Sequence, residues 1–350
     1  MPKHRPKVFF DANVVIQAGK PPGGPLISRV ADLANAGLIK VLTTDLTLAE
    51  VAKKHTENDY EVIKEVGRPH FRKIMSEHLG ISLPDIHKAE LRASISKKYA
   101  ELVSAMFTYL KAKTLVIDDI KPSKVFAAYT EKSGFFTGEG KRDQFPDAFI
   151  FECLKAEASV KSPVIIVSND GDFNVPAKSV EHISLLKTIP DLFQSLGLQV
   201  EAPEIEEFLE ENEEELVNFV DTEINDWGLQ VSDVEDAEIE ESTVTEVELS
   251  ELISFGSLEK GGSILVVGSA EVTVTVSYTH PNWDEAMYDS EDKVLIPFDD
   301  VSGETEVVLN ADFSMSIAVD DDGEPAEIEE FQFRNSDFVY VELYPYETYK

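Results

Sequence analysis

The sequence predicts an α/β fold with a central parallel sheet for about residues 5–200, followed by an acidic β-rich region. In the first 200 residues, short apolar runs typical of buried strands alternate with stretches of helical spacing, which is the pattern of βαβ units. Beyond residue 240, apolar and polar residues alternate with a period of two, which is typical of antiparallel strands. The charge divides in the same way. Residues 1–200 hold 27 Lys and Arg against 24 Asp and Glu, whereas residues 201–350 hold 4 against 43.

The elements of the first region follow one another in a regular order. Apolar runs predict strands at 8–10, 38–42, 114–117, 163–167 and 182–185. Helical spacing predicts helices at 26–36, from 43 onward, through most of 51–113, and at 122–132, 148–158 and 189–196. Gly37 suits the C-terminal cap of the first helix, and Thr44 or Asp45 suits the N-terminal cap of the second. We therefore predict a first domain over residues 1–200.

The acidic region changes character along its length. A glutamate-rich helical pattern at 203–227 predicts an acidic helical linker over residues 201–240. Alternating runs at 243–249, 270–277, 305–309 and 338–343 predict an antiparallel sandwich or barrel over residues 241–350. A region this acidic should repel nucleic acid, which the nearly neutral first domain need not do.

Composition limits the cellular setting. The chain has one cysteine, Cys153, which excludes an intramolecular disulfide and favours a reducing compartment. Cys153 lies in a helical apolar pattern and is expected to pack in the core. No apolar run approaches the length of a membrane span, and no signal-peptide core follows the basic N-terminus. We predict a cytoplasmic location and no membrane partner.

Acidic residues stand where predicted strands end or helices begin. They are Asp11 after the first strand, Glu50 on the following helix, Asp143 and Asp147 before and within another helix, and Asp170 and Asp172 after the strand at 163–167. Asp143 and Asp147 share a helix face if the helix begins early, although Pro146 could hold Asp143 in the preceding loop. Because the carboxyl ends of parallel strands meet at one edge, we expect these side chains to converge.

Clustered carboxylates repel one another unless cations lie between them. Oxygen ligands favour Mg²⁺ or Mn²⁺ over zinc, and a carboxylate-held pair of such ions can hydrolyse phosphodiesters. A plainer interpretation also exists for each residue taken alone. Asp147 and Asp172 stand at plausible helix starts and Asp170 in a turn, where aspartate serves as a cap.

Four segments, in order, carry a resemblance to a known family. They are Phe-Asp-Ala-Asn-Val-Val-Ile at 10–16, Thr-Asp-Leu-Thr-Leu-Ala-Glu-Val at 44–51, Arg-Asp-Gln-Phe-Pro-Asp-Ala-Phe-Ile at 142–150, and Ile-Val-Ser-Asn-Asp-Gly-Asp-Phe at 166–173. Together they make the first 200 residues resemble the PIN-domain family of metal-dependent nucleases. The resemblance implies a three-layer sandwich around a parallel sheet that cleaves RNA, or sometimes DNA, through Mg²⁺ or Mn²⁺.

The resemblance also implies roles for individual residues. Asp11, Glu50, Asp147 and Asp170 would form the catalytic acidic quartet and, with Asp143 and Asp172, the metal ligands. Asn13 and Ser168 would be supporting polar groups. Lys141 and Arg142, beside the site, could hold phosphate, although solvated surface charge is an equal interpretation. The helical insert at 55–113 exceeds what compact members of the family have, and the resemblance does not reach the acidic half.

Two functions follow as hypotheses. The first is a metal-dependent endoribonuclease whose acidic C-terminal domain regulates it or binds a partner. The second is a catalytically inactive PIN-like scaffold that binds a protein or a nucleic acid. The acidic domain could occlude a cationic groove as a nucleic-acid mimic or engage a basic protein partner, and a plain partner-binding β domain is the alternative.

Overall fold

A parallel five-stranded sheet forms the centre of the N-terminal half in a computed structural model. The model describes residues 5–137, 144–198, 205–256, 262–289, 294–334 and 337–344. The strands are β1 (Lys7–Phe10), β2 (Lys40–Thr44), β3 (Lys113–Leu115), β4 (Val164–Val167) and β5 (Ile183–Leu186). Their spatial order is β3-β2-β1-β4-β5, so the chain moves outward from β1 and then returns to β4 on its other side. A switch point therefore lies between the carboxyl ends of β1 and β4.

Helices flank this sheet. They are α1 (Ala12–Gln17), α2 (Pro25–Asn35), α3 (Asp45–Ile63), α4 (Pro69–Leu79), α5 (Lys88–Tyr109), α6 (Pro122–Thr130), α7 (Phe145–Glu157), α8 (Asn174–Lys178) and α9 (Ile189–Ser195). The central strand is closed to water, since Val8, Phe9 and Phe10 are at most 2% exposed. Cys153 on α7 is buried as well. The predicted α/β class with a central parallel sheet is confirmed.

The start of α3 settles an alternative left by the sequence. Thr44 is its N-cap, because the hydroxyl of Thr44 accepts the backbone N–H of Thr47 at 3.0 Å. The carboxylate of Asp45 instead accepts the N–H of Ile117, 72 residues away, at 3.2 Å. The strand predicted at 114–117 is shorter for this reason: Ile117 bonds to a side chain and opens a 3₁₀ turn, Ile117–Asp119.

The insert between β2 and β3 is a helical layer built on α3 and α5, which pack against each other. The Tyr99 hydroxyl on α5 donates to the Asp59 carboxylate on α3 at 2.5 Å. The Tyr99 ring stacks on His55 with centroids 5.4 Å apart, and His55 is 3% exposed. Burial lowers the pKa of His55 to about 4.

The chain forms two compact units, the first over Met1–Gly197 and the second over Leu198–Lys350. The main sheet of the second unit is antiparallel with the order β12-β11-β8-β7. The unit's helices and strands are α10 (Ile205–Glu211), α11 (Glu213–Trp227), β6 (Gln230–Val231), β7 (Glu238–Phe255), β8 (Ile264–Pro281), β9 (Met287–Asp289), β10 (Val294–Ile296), β11 (Asp300–Val319), β12 (Pro325–Phe333) and β13 (Tyr340–Val341). β6 pairs with β13, and β9 with β10.

Helix α11 packs on this sheet. Leu216, Val220 and Ile224 form a buried stripe at helical spacing. The carboxylate of Asp221 accepts the N–H of Val244 on β7, and that of Glu223 accepts the N–H of Phe333 on β12. One helix thus satisfies backbone donors on both edge strands, where an open sheet would invite unwanted pairing.

The predicted antiparallel β-rich region is confirmed, but its closure differs from the sandwich or barrel that was predicted. Helices α10 and α11 contribute to the core beside the apolar side chains of the sheet, so a helical layer takes the place of a second packed sheet in the described residues. The helical segment predicted as a linker accordingly belongs to the second compact unit.

Two strands of this unit differ from their predicted positions. β12 was not predicted, because a bulge at Glu329 shifts its register against β11. The buried residues Ile328 and Phe331 consequently stand three apart and break the period of two. The strand predicted at 338–343 is reduced to Tyr340–Val341, which follows a 3₁₀ turn, Asp337–Val339.

Candidate active site

The switch point of the parallel sheet carries two polar residues. Asp11 follows β1 directly, and Ser168 follows β4. The N–H of Asp11 donates to the carbonyl of Val167 at 3.0 Å, which continues the strand ladder to the start of the site. Asp11 is 5% exposed and Ser168 is 1% exposed. A buried carboxylate at this edge requires compensation.

Both oxygens of Asp11 accept a hydrogen bond. One accepts the N–H of Ala12 at 2.8 Å, which makes Asp11 the N-cap of α1. The other accepts the hydroxyl of Ser168 at 2.7 Å. A carboxylate has about four lone-pair sites, so each oxygen can accept one further bond while the two existing bonds fix its orientation. Capping and a ligand role are therefore compatible in Asp11.

The turn after β4 continues the same network. Ser168 accepts the backbone N–H of Asp170 at 3.1 Å, and the carboxylate of Asp170 accepts the N–H of Asp172 at 2.8 Å. Asp170 is half-buried and caps a 3₁₀ turn, Gly171–Phe173. The hydroxyl of Ser168 thus links the carboxylate of Asp11, which follows β1, to the backbone of Asp170, which follows β4.

Two helices bring further carboxylates to this edge. Glu50 lies in the second turn of α3, which starts at the end of β2. Asp147 lies in the first turn of α7 behind Pro146, a residue that suits the start of a helix because it needs no hydrogen-bond donor there. Asp147 is half-buried, and Glu50 is exposed on its helix.

The pKa values register the convergence of these groups. Burial, as the largest cause, and the charges of Asp11, Asp170, Glu50 and Asp172 together raise the pKa of Asp147 to about 7. The same carboxylates come from β1, α3, α7 and the turn after β4. Asp147 therefore experiences the charges of four other acidic residues that are distant from one another in the sequence.

The pKa values of Asp11 and Glu50 are raised as well. Burial raises the pKa of Asp11 and the charge of Asp170 adds to it, while the hydrogen bonds from Ser168 and Ala12 oppose the rise. Partial burial raises the pKa of Glu50, Asp11 adds to it, and Lys53 opposes it. The site thus disfavours the ionised forms of Asp11, Glu50 and Asp147.

The donor set suits hard cations, because the converging side chains offer oxygen alone. Within the described ranges, no set of three or more His, Cys, Asp or Glu side chains lies close enough together to hold a metal ion.

The remaining predicted residues have varied positions. Asn13 is exposed on α1, and the backbone of Asp172 takes part in the turn after β4. Lys141, Arg142 and Asp143 lie outside the described residues.

A polar bridge across the switch point was missed from the sequence. The amide of Asn169 donates to the carboxamide of Gln17 at 2.9 Å, which joins the turn after β4 to the end of α1. The two residues are 152 positions apart. Asn169 lies in the segment at 166–173, but Gln17 lies outside the four segments, so nothing in the sequence paired them.

Residues 8–173 match the sequence model of a family described as the PIN domain. The match covers all the described acidic positions of the cluster, from Asp11 to Asp172, and ends before α9. No match was found among curated proteins or among solved structures. Within the described residues, no helix is both long enough and apolar enough to span a membrane.

Proposed function

Residues 8–173 of this chain are a PIN domain, and we propose on that basis that the protein is a metal-dependent endonuclease whose substrate is RNA. The PIN domain is a nuclease-type fold that implies nucleic-acid binding. One observation carries the proposal: at the ends of the paired strands β1 and β4, the Ser168 hydroxyl bonds to both the Asp11 carboxylate and the Asp170 backbone. The charges of Asp11, Asp170, Glu50 and Asp172, which raise the pKa of Asp147, support it. A scaffold that merely binds a partner has no need of so much mutual repulsion at one edge of its sheet.

We assign the catalytic role to Asp11, Glu50, Asp147 and Asp170. These residues and Asp172 would hold Mg²⁺ or Mn²⁺, and Asp143 is proposed as a further ligand. The all-oxygen donor set supports this choice of ion. When bound, such ions activate the attacking water and stabilise the leaving oxygen of a phosphodiester.

The protein's own contribution is to fix the ligands before substrate arrives. Ser168 holds one oxygen of Asp11 and, through its acceptor side, the backbone of Asp170. The Ala12 N–H holds the other oxygen of Asp11. Because β1 and β4 are paired neighbours in the sheet, the residues that follow them, Asp11 and Asp170, are held near each other. We propose Asn13, Lys141 and Arg142 as contacts for substrate phosphates or water.

The experiment is cleavage of a fluorescent RNA by the full chain in Mn²⁺, in Mg²⁺ and in EDTA. We expect cleavage with either ion, loss in EDTA, and loss in Asp11→Asn and in Asp170→Asn. Asp118→Asn, which changes an exposed aspartate of a 3₁₀ turn, is the matched control and should cleave as the parent does. Full activity in either site variant would overturn its assignment, and absence of cleavage under all conditions would favour an inactive scaffold.

For the second unit we propose a regulatory or partner-binding role, with one domain over about residues 1–200 and the acidic helices of 201–240 joined to the β-rich region of 241–350. Its excess of acidic residues would repel RNA or attract a basic partner. Cleavage by residues 1–200 alone tests this. If removal of 201–350 raises neither activity nor RNA affinity, occlusion of the site by the acidic unit is wrong.

A further inference from the structure

Helix α6 presents aromatic rings to solvent instead of to the core. Phe126 is 53% exposed and Tyr129 is 36% exposed, and their spacing of three places them on one face of the helix. Val125 on the same helix is 2% exposed and supplies the contact with the core. Single exposed apolar residues are common, but adjacent exposed rings form a patch that calls for a function.

The two rings are held in place by a third. Phe145, the first residue of α7, lies 5.2 Å from the Phe126 ring and 5.1 Å from the Tyr129 ring, centroid to centroid. Beneath them, the buried Phe136 meets the Tyr129 ring edge-on at 5.3 Å and the Phe145 ring at 4.8 Å. We name Phe126, Tyr129 and Phe145 the aromatic platform. Its rings are pre-positioned, so a ligand stacking on them would have little side-chain entropy to remove.

The aromatic platform and the carboxylate cluster share helix α7. Phe145 stands two residues before Asp147 in the first turn of α7. The helix that carries the other two rings is bracketed by lysines: Lys121 is its N-cap, and Lys132 follows its end. Residues 121–132 hold three lysines and one glutamate, in a chain whose net charge is −36. Among the described residues, no carboxylate forms an ion pair with these lysines.

We propose that the aromatic platform stacks an unpaired base of a single-stranded RNA whose backbone runs past the lysines into the carboxylate cluster. The proposal rests on the proposed nuclease function, because it names the form of substrate that the same site takes. Aromatic side chains flanked by cations are the means by which proteins bind single strands, since every base has a π-face. A base paired within a duplex is stacked on its neighbours and cannot reach such a platform.

The test measures the affinity of the full chain for a labelled, unstructured 12-nucleotide RNA by fluorescence anisotropy. Binding is measured in Ca²⁺, and a gel verifies that the RNA stays intact. We compare Phe126→Ala with Phe126→Leu, which keeps an apolar side chain but loses the ring, and with Phe126→Tyr, which keeps a ring. Tyr109→Ala is the matched control. Tyr109 is 52% exposed, but it ends α5 just before β3 begins, so it lies on the side of the sheet where the strands start and not where they end.

We expect Phe126→Ala and Phe126→Leu to weaken binding by about 5- to 150-fold, which is the range for loss of one base–aromatic stack. Phe126→Tyr and Tyr109→Ala should bind as the parent does, and a duplex of the same length should bind more weakly than the single strand. Unchanged binding in Phe126→Ala, or parent binding to duplex as tight as to single strand, would overturn the platform. Tighter binding of single-stranded DNA than of RNA would overturn the assignment of RNA.

Binding and cleavage fail separately in this design. If the parent cleaves RNA in Mn²⁺ while Phe126→Ala binds normally, the platform is wrong and the nuclease proposal stands. If the parent cleaves nothing but loses RNA affinity in Phe126→Ala and Phe126→Leu, the nuclease proposal is wrong and the platform stands.

Discussion

Replacement of Asp147 by asparagine should stabilise the first unit at neutral and alkaline pH. Asp147 is half-buried among four other acidic groups, and its pKa is raised from 3.8 to about 7. A difference of about 3 pKa units corresponds to roughly 4 kcal/mol at most, since one unit is about 1.4 kcal/mol. Because neighbouring carboxylates relax and water screens part of the interaction, we expect a gain of about 1–3 kcal/mol in the free energy of unfolding.

The direction of the pKa shift determines the pH range in which Asp147 lowers stability. The folded protein keeps a proton on Asp147 that the unfolded chain releases, so this residue lowers stability progressively as pH rises from about 4 to about 7. Asparagine removes that loss, and the gain should be near zero at pH 4 and complete above pH 7. His55 acts in the opposite direction: its lowered pKa makes stability fall as pH drops from 6.5 toward about 4. The difference between variant and parent is therefore the quantity to measure.

Urea unfolding in EDTA at several pH values provides the measurement. Circular dichroism at 222 nm is dominated by the helices of the first unit, with a smaller contribution from α10 and α11. Both tryptophans, Trp227 and Trp283, belong to the second unit and report on it alone by fluorescence. Asp118→Asn is the matched control and should show no pH-dependent gain. The reasoning is refuted if Asp147→Asn is less stable than the parent at pH 8, or if its gain is the same at pH 4 and pH 8.

Three further predictions concern stability. Ser168→Ala removes the hydroxyl bonded to Asp11 at 2.7 Å and should lower the free energy of unfolding by roughly 1.5–3 kcal/mol at pH 8; urea unfolding that matches the parent would contradict the network. His55→Phe should abolish the fall in the free energy of unfolding between pH 6.5 and 4, which is worth up to about 3 kcal/mol. The reason is that the buried Nε2 of His55 has no hydrogen-bond partner among the described residues. A variant that loses stability in acid as the parent does would contradict this. Phe313→Ala should cost the second unit about 3–5 kcal/mol, since Phe313 is fully buried in β11; an unchanged transition by tryptophan fluorescence would contradict its place in the core.

Much of the first unit could be predicted from the amino-acid composition of its strands. The strands at 8–10 and 163–167 are buried on both faces, so they read as uninterrupted apolar runs. The proximity of the carboxyl ends of these strands could also be predicted, because the carboxyl ends of parallel strands lie at the same edge of a sheet. What could not be predicted was the bonding across that edge. The link from Ser168 to Asp11 spans 157 residues and depends on β1 and β4 being neighbours.

The second unit resisted sequence analysis for a different reason. Period-two alternation located β7, β8 and β11 but said little about what would cover them. The bulge at Glu329 then hid β12, because one extra residue reverses the alternation. The sequence does contain a signal for the aromatic platform, because Phe126 and Tyr129 stand three apart on a helix whose core contact is made by Val125.

The most direct test is crystallography of the full chain with Mn²⁺, using anomalous scattering at the manganese absorption edge. The account predicts at least one Mn²⁺ at the carboxyl ends of β1 and β4, within coordination distance of both Asp11 and Asp170. Manganese confined to the acidic second unit, or an Asp11 and an Asp170 that share no ion at saturating Mn²⁺, would contradict it.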